Sequence, residues 1–190
     1  MQVIGFKWKN YKGWRPYLIV SNSGNIKFLG LMNNNFNIKV GEKFCIGYFS
    51  NGRRHQCPNN MRVVRGRMCK DCESKDQYFS CVKCKGTCLN EAVREKCKKD
   101  KFFIYLSTFD DILKVGISRQ GRFFERMIEQ GSDLAAKIMD VSDGLVVRKK
   151  EQEISNFLNC TDRVFGDVKF RTIFGDPNKS AVNLMSALIK

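Results

Sequence analysis

The 190-residue sequence has no long apolar run. The longest span only a few residues, such as Phe102 to Leu106, too short to cross a bilayer. Its start, Met1-Gln2-Val3-Ile4-Gly5-Phe6-Lys7, lacks the charged lead and apolar core of a secretory signal. A cytoplasmic chain with reduced thiols is therefore expected. No internal repeat is visible. Acids are nearly missing from residues 1–56, which hold one against nine Lys/Arg, and histidine occurs once, as His55. Residues 55–97 lack any apolar period longer than a few residues, so that stretch needs a covalent or metallic staple in place of a core. What is abundant is cysteine, with nine, and positive charge, a formal +15. With 43% hydrophobic and 28% charged residues the chain is globular in composition, and wholesale disorder is excluded.

The charge is uneven. Residues 1–56 carry a net +8, residues 57–100 carry +5, and residues 101–190 only +2. A phosphate-rich partner explains such a gradient, because each Lys or Arg that meets a phosphate releases condensed counterions. Genome bias towards Lys and Asn is the plainer alternative, with Asn33-Asn34-Asn35 as an example. An anionic membrane surface fits less well, since the first hundred residues show no basic amphipathic helix. Nucleic acid is the expected partner and no membrane is expected.

Turn chemistry and residue type divide the chain into an α+β protein of three parts. Residues 1–54 read as a small antiparallel β module with strands at 3–8, 16–20, 26–31 and 43–49. Turns at 10–13, 22–25 and 33–37 separate them. Trp8, Tyr11, Trp14 and Tyr17 alternate with Lys7, Lys9, Lys12 and Arg15, which suits either base stacking or the packing of a small sheet. Residues 55–100 form a cysteine-rich module. Residues 101–190 return to regular structure, with a hairpin of 102–107 and 112–117 and a helix over 119–130 stopped by Gly131. Residues 134–141 suit a short helix or a third strand, a helix covers 144–158, and a last helix opens at Asp176-Pro177.

The cysteine module reads Cys57, Cys69-x-x-Cys72, Cys81-x-x-Cys84, Cys88 and Cys97, with His55 two residues before Cys57. A Cys-x-x-Cys pair on a tight turn brings two thiolates to one tetrahedral ion, and two pairs complete a four-sulfur site. Structural Zn²⁺, one ion or two, is the expectation. Disulfides and an iron–sulfur cluster are the alternatives. Cys69, Cys72, Cys81 and Cys84 make one complete set; Cys57, Cys88, Cys97 and His55 make a second; alternation of the pairs between two ions is equally open. His55 also suits phosphate contact beside Arg53-Arg54. Cys45 and Cys160 read as buried apolar thiols. Arg62, Arg65 and Arg67 are candidate nucleic-acid contacts on this module, as cation-dressed zinc knuckles hold nucleic acid.

Helix 144–158 carries an anomaly. At 100° per residue Val147, Ile154 and Leu158 share a face, and Glu151 falls within the same stripe. A carboxylate there needs a partner. On helix 119–130, Arg119, Arg122 and Arg126 form a ridge at i, i+3, i+7. A buried Arg126–Glu151 salt bridge is one reading.

A resemblance offers another. Phe103-Ile104-Tyr105, then Lys114-Val115-Gly116, then Arg126 and Glu151 on later helices resembles the GIY-YIG nuclease core, a three-stranded antiparallel sheet flanked by helices. In those nucleases two tyrosines and the arginine work around the scissile phosphate, and the glutamate holds a divalent metal. The resemblance implies that Tyr105 takes the first tyrosine's place, Gly116 the second motif's glycine, Arg126 the arginine and Glu151 the glutamate, with Mg²⁺ at Glu151 if the core cleaves. The wider string, including Leu106, Ile117-Ser118-Arg119 and Gln130-Gly131, is similar to an uncharacterised prokaryotic family with a cysteine-rich module before such a core. The resemblance spans residues 57–158. Lys114 stands where the second motif has tyrosine, Phe103 where the first has glycine, and the histidine of many members is missing. A protonated lysine cannot take a proton from attacking water, but it can hold a phosphate.

The leading expectation is a zinc-stabilised, basic, cytoplasmic protein that binds nucleic acid. RNA (tRNA or ribosome) is favoured over DNA, because knuckles and small β modules suit unstacked bases. Lys114, Arg119, Arg122 and Arg126 would grip the backbone. The alternatives are a Mg²⁺- or Mn²⁺-dependent endonuclease, with Tyr105, Arg126 and Glu151 as catalytic residues, and a zinc-scaffolded protein-interaction adaptor.

Overall fold

Alternating β-branched and aromatic residues between short polar turns draw the N-terminal residues into a meander. The structure, a computed structural model, describes residues 1–22, 24–33 and 35–190. Strands β1 (Gln2–Asn10), β2 (Trp14–Asn22) and β3 (Asn25–Gly30) pair antiparallel in the order β1-β2-β3. The expected turns at 22–25 and 33–37 each include one residue outside the described set, Ser23 and Asn34. The register puts Lys7 opposite Tyr17, Lys9 opposite Arg15 and Ile19 opposite Phe28 on one face. Phe6, Leu18 and Leu29, with Trp8 opposite Pro16, take the other.

Residues 43–49, expected as a fourth strand, run mostly irregular. Phe44 makes an isolated bridge with Arg62, and regular pairing starts only at β4 (Tyr48–Ser50) with β5 (Arg53–His55). Asn51 and Gly52 close that hairpin at φ of 50° and 77°, the left-handed pair a tight hairpin turn requires. Gly47 sits at φ 76°, and a side chain there would collide with the His55 carbonyl, so only glycine lets the chain pass. Two short helices follow, α1 (Lys70–Lys75) and α2 (Phe79–Lys83).

The chain divides into two compact units, Met1–Val82 and Lys83–Lys190, so the cysteine-rich stretch is shared between them. The second unit opens with a 3-10 turn (Glu91–Val93) and α3 (Arg94–Lys99). Its sheet has β6 (Lys101–Phe109) in the middle, flanked by β7 (Ile112–Arg119) and β8 (Leu134–Ser142), all antiparallel. Residues 134–141, open between helix and strand, are thus strand. The helices are α4 (Phe123–Gln130), α5 (Gly144–Phe157), α6 (Gly166–Arg171) and α7 (Pro177–Ile189). The helix expected from 119 begins four residues later, because Arg119 ends β7 and the Gln120 N–H still donates to Lys101. Gly131 ends α4 in the left-handed conformation, as its position implied. Asp176 caps α7 by accepting from the Asn178 N–H, with Pro177 in the first turn.

One sheet face carries the core, where Ile104, Leu106 and Val115 pack with Val147, Leu184 and Ala187. The other turns Phe103 towards Phe123 of α4 (ring centroids 5.6 Å) and carries Tyr105 beside it. At the free edge of β7 the Val115 N–H donates to Thr161, which sets that segment against the edge strand. The observed class is α+β with small antiparallel sheets. Among the described residues no helix is long and apolar enough to cross a membrane.

Candidate functional site

In the first unit four sulfurs converge. Cys45, Cys57, Cys69 and Cys72 bring their Sγ atoms all within 4.8 Å of one another. Backbone pairing builds the cluster from the loops: the Cys45 N–H donates to Met61, Ile46 to Arg67 and Val63 to Lys43. The Cys69 and Gly47 N–H groups donate to Cys45 Sγ (3.2 and 3.4 Å), and Met61 N–H to Cys57 Sγ (3.5 Å). Such N–H donors stabilise thiolate charge. Burial pushes the Cys72 thiol well up. At Cys57 burial also acts to raise the thiol, but donors including Met61 and Asn59 outweigh it, leaving it pushed down to about 7.

The geometry suits a tetrahedral ion. Four sulfurs at ~2.3 Å from one centre lie about 3.8 Å apart, and Cys57 Sγ and Cys69 Sγ are 3.9 Å apart. These four cysteines could hold a metal ion. Two expectations need correction. Cys45 joins the cluster instead of serving as an apolar thiol, and Cys69-x-x-Cys72 is completed by Cys45 and Cys57, not by Cys81 and Cys84. The Phe44–Arg62 bridge is the reason, because it carries Cys45 to the start of α1. The available signal was spacing: Cys45, Cys57 and Cys69 recur at intervals of twelve.

The other proposed ligands lie elsewhere. His55 stacks on Tyr48 (4.8 Å), with Nε2 3.3 Å from the Ser50 carbonyl. Cys81 lies on α2, Cys84 donates to the Thr87 carbonyl, Cys88 is half-buried, and Cys97 on α3 packs against Gly144. Among the described residues they form no second group of three or more ligands. Arg62 pairs with Glu42 (2.9 Å), Arg67 donates to the Ile4 carbonyl, and Arg65 is exposed.

In the second unit polar side chains gather under the sheet. Tyr105 is wholly buried in β6, and Lys114 on β7 is 5% exposed. Lys114 Nζ donates to the Val115 carbonyl (2.9 Å) and reaches the Tyr105 hydroxyl at 3.5 Å. Gly116 makes this contact possible, since a Cβ there would lie 2.6 Å from both the Tyr105 hydroxyl and Lys114 Nζ. Burial pushes Tyr105 above its usual range, with the Arg126 guanidinium beside it opposing the shift. Burial also holds Lys114 down to about 8; the charge of Glu151 opposes this and that of Arg126 adds to it. Arg126 Nε, and Ser107 Oγ on the residue directly opposite Lys114 in the sheet, are buried without a hydrogen-bond partner among the described residues.

Glu151 is 6% exposed and raised by burial, but its partner is Arg148 one turn earlier (3.1 Å), not Arg126. Arg126 faces Glu129 at 3.6 Å. The expected arginine ridge is broken: Arg119 ends β7 and pairs with Asp100, while Arg122 precedes α4 and is held by Glu125 and Glu129. Arg148 and Lys169 went unnoticed in the sequence. Lys169 of α6 donates to the Gln130 carbonyl (2.8 Å) with its ammonium over Phe109, and burial lowers it, helped by Arg126.

Fold and site together define a two-unit α+β protein with a four-thiol cluster and a cationic cluster around the buried Lys114. Residues 35–173, well over half of the chain, match the family described as Protein of unknown function (DUF2797), and the chain belongs to that family. No curated protein and no solved structure matches it.

Proposed function

We propose that this is a zinc-stabilised nucleic-acid-binding protein, with RNA the favoured partner, whose second unit grips a phosphodiester backbone. The observation that carries the reading is the cluster of buried Lys114 and Tyr105 with half-buried Arg126, in which Arg126 Nε and Ser107 Oγ lack hydrogen-bond partners among the described residues. A buried donor without an acceptor costs about 1–3 kcal/mol, and a phosphate oxygen supplies what it lacks. The hairpin β6–β7, then α4, then β8 and α5 supports a GIY-YIG-like core. The net charge of the first unit, fourteen Lys/Arg against four acids, supplies long-range attraction.

Zinc fits the four thiols by donor type and sulfur spacing, and a closed four-sulfur site is structural. The test is binding of labelled RNA and DNA as salt rises. Affinity should fall steeply, and Arg126→Gln should weaken it; a flat salt response would overturn the reading. Elemental analysis should return one zinc and no iron for this cluster.

Phosphodiester cleavage is a second reading, and one observation favours it. Because burial holds Lys114 at about 8, a neutral fraction exists near physiological pH that can accept a proton from water, which an ordinary lysine cannot do. The divalent metal fits less well, since Glu151 already accepts from Arg148 and no carboxylate group of three gathers among the described residues. Incubation of labelled RNA and DNA with Mg²⁺ or Mn²⁺ decides; a product that Glu151→Ala abolishes would establish cleavage.

A further inference from the structure

The sheet of the first unit has two unlike faces, and the alternation in the sequence hides this. Trp8 pairs with Pro16, and Asn10 with Trp14, on one face; Lys7, Lys9, Arg15, Tyr17 and Phe28 lie on the other. On that second face Lys9 Nζ sits 3.3 Å from the centroid of the Phe28 ring, 5.4 Å from Tyr17 and 6.0 Å from Tyr11. Tyr11 is 61% and Phe28 44% exposed. The far end of the same face is occupied, because Gln2 donates to the Phe44 carbonyl and Gln56 to Ser21 Oγ. The Lys9 end stays open. No acid occurs anywhere in residues 1–41, so none of the three strands carries a negative charge.

We propose that this open end of the β1–β2–β3 face binds single-stranded nucleic acid, stacking unpaired bases on Phe28, Tyr17 and Tyr11 with phosphates at Lys9 and Arg15. The proposal rests on the nucleic-acid reading above and adds a second contact to it. Charge complementarity selects a polyanion, and the rings select one with unpaired bases, because a duplex keeps its base faces stacked inside. Lys9 acts as a shutter. Over Phe28 it gains a cation–π contact, and a phosphate that draws the ammonium aside frees the ring for a base. No side chain of the cluster other than the tyrosines and cations offers directional hydrogen bonds, so recognition is by stacking and tolerant of sequence.

The test uses the full metal-loaded chain, a labelled oligouridylate of about 12 nucleotides and an RNA hairpin with a fully paired stem, read by fluorescence anisotropy. The double variant Tyr11→Leu, Phe28→Leu keeps apolar bulk at exposed positions but removes two ring faces. It should lose about tenfold or more in oligouridylate affinity while hairpin affinity holds, and a base-free polyanion (polyphosphate) should bind wild type and variant alike. Crosslinking through 4-thiouridine should label Tyr11, Tyr17 or Phe28. Equal oligouridylate binding by both proteins, or crosslinks confined to other strands, would overturn the proposal and leave the nucleic-acid reading standing. Hairpin binding without oligouridylate binding by the wild type would do the same, whereas binding of neither would sink both.

Discussion

A lysine ammonium buried beside a tyrosine and an arginine is an expensive arrangement, and its cost depends on pH. Lys114 is held at about 8 in the folded chain, against about 10.4 when unfolded. Below pH 8 both states are protonated and the folded state bears the full penalty; between pH 8 and 10.4 the unfolded state binds the extra proton, so this group's contribution to stability improves as pH rises. Lys114→Met should therefore raise stability by up to about 3 kcal/mol at pH 7, with the gain vanishing near pH 10.5, as read by paired thermal unfolding. The same variant should weaken nucleic-acid binding. Wild-type affinity should itself fall as pH passes 8 and the cation is lost, and that step should be missing in Lys114→Met. Burial is the main cause of this value; among the charged neighbours Arg126 and Lys169 add to it, and Glu151 and Asp162 oppose it. The sequence put Lys114, Tyr105 and Arg126 in one group through the motif that carries them. Arg148 and Lys169 escaped notice because neither lies in that motif and α6 is only six residues, too short to show a period.

At the scale of elements, the entry to α5 joins several constraints. Asp143 sits at φ 73°, accepts from the Leu145 N–H (2.8 Å), and takes a bidentate pair from Arg94 of α3 at 2.6 and 2.7 Å. The Arg94 guanidinium holds its carboxyl below the usual carboxylate range. Its contribution is thus complete above about pH 4 and fades as pH falls through the lowered folded value. Asp143→Ala removes the cap and leaves Arg94 without its partner, which should cost about 2 kcal/mol in urea unfolding at pH 7. Helix starts and stops were legible where chemistry is local, as at Gly131 and Asp176-Pro177. Residues 43–49 misled because Phe44-Cys45-Ile46 has strand composition, whereas partners 18 residues away at Arg62 decide its path.

For the whole molecule, the decisive division is between a unit organised around thiols and one organised around a sheet. The first unit's small cluster of Cys45, Val63 and Cys72 is no substitute for an apolar core. Chelation should therefore melt the first unit while the second keeps its own cooperative transition, visible as two steps in thermal unfolding. Cys45→Ser should abolish metal retention at this site as fully as Cys69→Ser, whereas Cys81→Ser and Cys84→Ser should leave it intact. Metal content per chain checks each variant. Retention unaffected by Cys45→Ser would return the ligand set to the Cys-x-x-Cys pairs.

The sequence by itself determined that cysteines replace an apolar core before residue 100, that charge concentrates there, and that strands and helices follow in an α+β order. These depend on composition and on neighbours within a few residues. Only the tertiary structure decided which thiols share a site, which arginines are already paired, and which aromatics face the cations, because each is settled by contacts between distant segments.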